Sequence, residues 1–131
     1  MIENPKIIFD GGHNESAIKN LKNMVNQYYP NNEKIYVISI LKRKDYKTVI
    51  KLLMQEKNSK FIFTSGNDIN TYTSKEELYN EAKKYSSDNI YMCDLEKTIQ
   101  DIQKYKNGVF FIVGSFYIYD TVIANCRHER K

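Results

Sequence analysis

The chain has 131 residues, 41% of them hydrophobic and 27% charged, which is the size and balance of one compact domain covering residues 1–131. A domain of this length buries enough surface to fold without disulfides or a metal. Its net charge of +4 comes from 20 Lys and Arg against 16 Asp and Glu. Because these charges are interspersed, we expect no nucleic-acid partner.

Cysteine usage and hydropathy indicate the cellular setting. Cys93 and Cys126 lie far apart without metal-ligand spacing, which argues against a zinc cluster or a disulfide-rich secreted scaffold and predicts a reduced core thiol at Cys93. No apolar run approaches the ~20 residues that span a bilayer. Glu3 and Pro5 fall where a signal peptide would be basic and then apolar. We expect a cytoplasmic protein with no membrane partner.

Five short apolar runs predict strands. Their continuous apolar character, as in Val109–Val113, is typical of strands that are covered on both faces of a parallel sheet. The runs are residues 6–9, 35–41, 60–64, 90–92 and 109–113.

Segments of helical period alternate with these strands. The first ends before Pro30, and a capping box formed by Ser74 and Glu77 opens the third. The fourth begins after Asp94 and stops at Gly108. Residues 115–126 suit either a strand or a helix, and the alternation favours a helix, with a frayed tail from residue 127. Tyrosines at helical spacing are interpreted as packing residues, namely Tyr28, Tyr79, Tyr85 and Tyr105.

The alternation of strands and helices predicts an α/β fold. Right-handed crossovers then give an open, mostly parallel, Rossmann-like sheet with helices on both faces. In such sheets ligands bind beyond the carboxyl ends of the strands, so the residues after each apolar run are the candidate site.

The loop after the first strand is the most informative. Asp10, Gly11, Gly12, His13 and Asn14 combine an acid, two flexible glycines, a histidine and a helix cap. A helix N-terminus behind such a loop favours anions, which suits a phosphate-handling loop. A plain strand-to-helix turn capped by Asn14 explains the same residues, and both interpretations stay open at this point.

The later loops carry weaker signals. Lys42 and Lys44 follow the second strand and are suited to holding a carboxylate or phosphate, although lysine clusters are more often solvated loops. Residues 64–68 offer hydroxyls and amides that also make ordinary turns. Gly114 and Ser115 follow the last strand, where the glycine allows either a close ligand or a tight turn. The chain contains no Walker loop, so it lacks a complete nucleotide cradle of its own.

These motifs resemble a known family. Residues 10–14 and the helix behind them are similar to the Asp-Gly-Ala-His-Asn motif that opens the carboxy-terminal domain of folylpolyglutamate synthase and dihydrofolate synthase, in the Mur ligase superfamily. Further landmarks agree in order, and the resemblance covers essentially the whole chain. These further landmarks are the Lys-rich loop 40–46, the Thr-to-Asn turn 64–67, the helix start 94–99 and the Gly-Ser-Phe-Tyr ending 113–117.

The resemblance implies a ligase reaction. ATP phosphorylates a folate carboxylate, and the amino group of glutamate attacks the acyl phosphate. The ATPase domain of such an enzyme lies amino-terminal to this one, carries the Walker loop and holds most of the Mg²⁺ contacts. It would be the main partner of this domain, in a monomeric enzyme that binds ATP, folate and glutamate. The isolated domain is expected to be inactive.

The resemblance also implies roles for individual residues. Asp10 would contact ATP or its magnesium shell, and Gly11 and Gly12 would also bind the cofactor, while His13 and Asn14 would face the γ-phosphate and the acyl phosphate. A glutamate carboxylate would be bound by Lys42 or Lys44, with Ser115 as a second donor. No residue of this chain is expected to ligate a metal by itself.

The chain departs from the family pattern in two places. Asp68 and Ile69 replace the Pro-Arg that follows the third-loop Asn, which weakens the case for a ligand contact there. The ATP-contacting arginine of a Pro-Gly-Arg linker would precede this sequence. Either a piece of a longer ligase or a lone domain is compatible with this, and a stand-alone Rossmann-like module that binds a nucleotide or an anion without catalysis is the alternative function.

Overall fold

The computed structural model describes residues 2–3, 6–11, 14–56, 58–66, 70–104 and 108–129. Across these residues strands and helices alternate as predicted. The elements in chain order are β1 Ile2–Glu3, β2 Lys6–Asp10, α1 Glu15–Tyr28, β3 Lys34–Ile38, α2 Tyr46–Leu53, β4 Ser59–Phe63, α3 Lys75–Ala82, β5 Ile90–Met92, α4 Leu95–Lys104, β6 Val109–Val113 and α5 Phe116–Glu129.

The strands form a single open sheet in the order β1-β2-β6-β3-β4-β5. Every neighbouring pair is parallel except β1 with β2, so the predicted mostly parallel α/β fold is confirmed. The last strand in the sequence, β6, lies between β2 and β3. Its register pairs Val113 with Asp10 on one side and with Ile38 on the other, so the ends of the three strands are level.

Helices cover both faces of the sheet. Apolar side chains of α1, α2 and α3 pack on one face, and those of α4 and α5 pack on the other. Tyr36 lies on the first face, with its ring stacked 5.5 Å from that of Phe61 and 5.2 Å from that of Phe111. Residues of β3 and β6 are buried at every position, as expected for central strands covered twice.

The helix starts follow the predicted chemistry. The Ser74 Oγ accepts a hydrogen bond from the Glu77 amide at 3.1 Å and donates one to the Glu77 carboxylate, which confirms the third helix start. Residues 115–126 form a helix, as the alternation indicated, and its backbone continues to Glu129 instead of fraying from residue 127.

Two predictions from apolar periodicity are wrong. The second strand ends at Ile38 because Ile40 and Leu41 pair instead with Thr73 and Tyr72. Tyr28 and Tyr85 are 64% and 45% exposed, so they are not packing residues. Tyr28 is the last residue of α1, and Tyr85 lies beyond the end of α3. Tyr79 packs partly against the core, and Tyr105 lies outside the described residues.

Gly114 directly follows β6 and packs against the backbone just beyond the end of β3. Its φ of +103° is a conformation that residues with a Cβ rarely adopt. A Cβ there would also overlap the carbonyl oxygen of Ser39, just beyond β3. The glycine is therefore required by a tight turn, and the space beside it is filled by protein backbone.

We expect Gly114→Ala to destabilise the chain by about 3 kcal/mol or more, since backbone strain and steric overlap add. Gly11→Ala is the matched control, because a Cβ at Gly11 would meet only the Phe9 ring at 3.3 Å and needs no unusual φ. Urea denaturation followed by circular dichroism measures both. Equal losses for the two variants would contradict this account of Gly114.

An ionic cluster lies just beyond α2. The Glu56 carboxylate lies 3.9 Å from the Lys22 ammonium, and the two side chains are only 9% and 17% exposed. Burial raises the pKa of Glu56, and the charges of Lys22 and Lys34 only partly oppose this effect. Folding therefore favours the protonated form of Glu56.

The stability contribution of Glu56 is expected to decline with rising pH. A raised folded pKa gives stability that is present below the unfolded value of about 4.3 and is lost as pH rises through the folded value. The free energy of unfolding of the native chain, minus that of Glu56→Gln, should fall across this window in urea titrations. A difference that stays constant or rises across this window would contradict this account of Glu56.

Candidate functional site

The carboxyl ends of the parallel strands form one edge of the sheet, where the predicted loops meet. Backbone hydrogen bonds continue past the strands and join them: Gly114 N to Asp10 O at 2.9 Å, Ser39 N to Val113 O at 3.1 Å, and Thr64 N to Ile38 O at 3.0 Å. The loops after β2, β3, β4 and β6 are thereby held side by side. This confirms that residues distant in the sequence share the predicted edge.

The first loop is described in part. Asp10 ends β2 and is half-buried, and Gly11 follows it. Gly12 and His13 lie outside the described residues. Asn14 is exposed and caps α1, because its Oδ1 accepts a hydrogen bond from the Ala17 amide at 2.9 Å. The predicted capping role of Asn14 is thus confirmed.

The loop after β3 separates the two candidate lysines. Asp45 caps α2, accepting hydrogen bonds from the Thr48 amide at 3.2 Å and from the Thr48 hydroxyl at 2.6 Å, and these bonds lower the pKa of Asp45. Lys42 and Lys44 are both exposed. Only Lys42 lines the cleft described next, since its amide donates to Thr71 O at 2.9 Å and draws this end of the loop toward β4.

A cleft of about 1060 Å³ opens beside this edge, between the segment leading into α3 and the helices α4 and α5. Lys42, Ser65, Gly66 and Tyr72 line the end nearest the sheet. The Lys75 ammonium lies 3.2 Å from the Asp94 carboxylate and 3.7 Å from that of Glu76, so its charge is already compensated. The cleft lining carries both signs of charge, with two lysines, Lys42 and Lys75, and four carboxylates, Glu76, Glu77, Asp94 and Glu96.

Ser115 is buried, with 3% of its surface exposed. Its Oγ accepts a hydrogen bond from the Ile118 amide at 3.4 Å at the start of α5, and it lies 3.3 Å from the Tyr72 hydroxyl. Tyr72 lines the cleft and Ser115 does not. Sequence reasoning did not single out Tyr72, because nothing in its local spacing distinguishes it from the other tyrosines.

Two further hydroxyls lie beneath this edge. Ser39 and Thr64 are fully buried, and within the described part of the chain neither side-chain oxygen has a hydrogen-bond partner. Each such group costs about 1–3 kcal/mol of stability. Both follow central strands directly, so polar groups here extend below the surface of the site.

Other candidate chemistry is sparse in the described ranges. Cys93 is a half-buried free thiol, and burial raises its pKa, which opposes a role as a nucleophile. Among the described residues, no group of three or more His, Cys, Asp and Glu is placed to hold a metal. Within the same residues, no helix is long and apolar enough to cross a membrane.

Comparison with solved structures gives the same fold in several bacterial enzymes. A folylpolyglutamate synthase from Thermotoga maritima matches 96% of this chain with a TM-score of 0.78 and 20% identity, over 29% of its own length. E. coli FolC in complex with DHPP and ADP matches 97% of the chain at 0.78 and 18%, over 30% of its length. A bifunctional folylpolyglutamate synthase/dihydrofolate synthase from Yersinia pestis, with AMPPNP and Mn, matches 92% at 0.73 and 20%, over 28% of its length.

The chain thus spans less than one third of the length of these structures. A search of curated proteins finds no match. The family described as dihydrofolate synthetase, C-terminal domain, matches residues 2–125, which is nearly the whole sequence. The fold, the loop order and this match agree, and the chain belongs to the family of dihydrofolate synthetase C-terminal domains.

Proposed function

We propose that this chain is the glutamate-binding domain of an ATP-dependent ligase that adds L-glutamate to a folate. The observation that carries the proposal is that Asp10, Lys42 and the Tyr72–Ser115 pair all lie at or just beyond one edge of the sheet. The family match supports it, and so does a similar structure described with Mn, AMPPNP and L-glutamate bound, at a TM-score of 0.71.

The reaction begins when a folate carboxylate oxygen attacks the γ-phosphorus of ATP, giving an acyl phosphate and ADP. The amino group of glutamate, after losing a proton, attacks the acyl carbon. The C–O bond to phosphate then breaks and phosphate leaves with its electron pair; the nitrogen gives up its second proton to the departing phosphate, and an amide remains. Negative charge accumulates on phosphoryl oxygens throughout, so catalysis depends on placing donors and cations in advance.

In this proposal the loops of the sheet edge divide the work. Asp10, Gly11 and Gly12 contact ATP, and His13 and Asn14 face the transferred phosphoryl group at the start of α1. The free amides at a helix N-terminus favour such an anion. Lys42 binds a carboxylate of glutamate in the cleft, where an ammonium and a carboxylate make a charge-assisted hydrogen bond.

The amino-terminal ATPase domain is the proposed partner and completes the site. A bound Mg²⁺ neutralises phosphate charge in such reactions. Asp10 is the only residue of the first loop with a carboxylate suited to it, so we assign most of the metal's ligands to the ATPase domain. We propose a monomeric, cytoplasmic enzyme in which the two domains close over ATP and folate.

The isolated chain should neither hydrolyse ATP nor extend folate, because the phosphate loop belongs to the ATPase domain. Calorimetry should give dissociation constants in the millimolar range or weaker for ATP and for L-glutamate, since domain closure creates the site. Micromolar binding of either ligand, or turnover by the chain alone, would contradict the proposal and favour a self-sufficient binding module.

Lys42→Ala should raise the KM for L-glutamate by roughly 10- to 100-fold in the chain joined to its ATPase domain, which is the value of a hydrogen bond to a charged group. The KM for ATP should change by less than about 3-fold, since Lys42 lies in the glutamate cleft. Lys44→Ala is the matched control from the same loop and should leave both constants nearly unchanged. A larger effect from Lys44 would reverse the assignment.

A further inference from the structure

Tyr72 contacts the loops that follow three strands of the sheet, β3, β4 and β6. Its backbone pairs with Leu41 in the loop after β3, and its hydroxyl lies 3.3 Å from the Ser115 Oγ after β6. A Cβ added at Gly66, after β4, would overlap the Tyr72 ring. The missing side chain at Gly66 therefore lets the ring lie directly against that loop. Its position is determined from three sides.

The hydroxyls of Tyr72 and Ser115 have two hydrogens between them, and the hydrogen bond that joins them uses only one. A serine or tyrosine hydroxyl has one hydrogen to donate and can also accept. The Ser115 Oγ already accepts from the Ile118 amide. If Ser115 donates its own hydrogen to the Tyr72 oxygen, the hydrogen of Tyr72 remains for a ligand. Only Tyr72 of the two lines the cleft, so this direction places the remaining donor where a ligand can reach it.

Lys42 lies on the neighbouring strand-like segment. Its amide donates a hydrogen bond to the carbonyl of Thr71, the residue before Tyr72, so the backbones of the two segments are joined. Both side chains line the same cleft. A cation and a neutral donor that line one cleft supply two hydrogen-bond donors for the two oxygens of a carboxylate.

We infer that the Tyr72 hydroxyl, held by Ser115, donates a hydrogen bond to the substrate carboxylate that Lys42 binds. This rests on the proposed function and assigns a further residue to it. Ser115 then acts as a positioning residue, because it reaches the substrate through Tyr72. The sequence predicted Ser115 as a direct donor to the carboxylate. In this inference the direct donor is Tyr72, which sequence reasoning did not single out.

The test compares Tyr72→Phe, Ser115→Ala and the double variant in the chain joined to its ATPase domain. Tyr72→Phe keeps the ring and should raise the KM for L-glutamate about 10-fold, with the KM for ATP within about 2-fold. Ser115→Ala should raise the same constant, and the double variant should resemble Tyr72→Phe alone, because the two hydroxyls act in series. Tyr79→Phe, on α3 and the other face of the sheet, is the control.

The outcomes distinguish this inference from the proposed function. A selective and non-additive rise in the glutamate KM supports the inference. An unchanged glutamate KM in Tyr72→Phe, or multiplied effects in the double variant, overturns it. If Lys42→Ala still raises the KM for L-glutamate in that case, the proposed function survives. If the unmodified enzyme does not ligate glutamate to folate, the proposed function itself is overturned. Urea denaturation of Tyr72→Phe distinguishes a general loss of stability, which would raise both KM values, from a specific loss of glutamate binding.

Discussion

The insertion of β6 between β2 and β3 is the constraint on which the rest of the structure depends. This strand pairs with both neighbours over its whole length, and Val113 is level with Asp10 and Ile38. Gly114 then turns at a φ of +103° against the Ser39 carbonyl. The first candidate loop, which begins at Asp10, is consequently joined to the last, at Ser115, because the Gly114 amide donates a hydrogen bond to the Asp10 carbonyl. The site exists only when the final strand is in place.

Helix capping and the candidate site use the same side chains. Asn14, Asp45 and Ser115 each accept a hydrogen bond from an amide in the first turn of a helix, so each satisfies a backbone donor that would otherwise lack a partner. The plain turn and the functional loop are therefore compatible interpretations of one geometry. Capping holds the helix starts at the sheet edge, and their remaining amides face the region where phosphate chemistry is proposed.

Much of the fold could be predicted because each element carries a local signal. The buried run 109–113 and the Ser74–Glu77 capping box need only neighbouring residues to be recognised, and both are confirmed. The end of the second strand could not be predicted in this way. Ile40 and Leu41 are as apolar as the strand before them, and they leave the sheet because Tyr72 and Thr73, thirty residues on, compete for their backbone.

The candidate site divides along the same line. Residue types and loop order in the sequence are enough to predict Asp10, Asn14, the lysine pair and Ser115 at one edge of the sheet, since parallel strands bring their carboxyl ends together. The sequence cannot separate Lys42 from Lys44, which differ by two positions, and it gives no sign of Tyr72. Those distinctions depend on which side chain lines the cleft and which hydroxyl is within reach of another.

The α/β alternation and the helix starts follow from the sequence alone, and so do the loops for which chemistry is proposed, because these depend on short-range periodicity and capping. Only the tertiary structure decided the sheet order, the requirement for glycine at residue 114, the orientation of the lysine loop and the pairing of Tyr72 with Ser115. Each of these depends on contacts between segments far apart in the chain, and local patterns of residues contain no information about them.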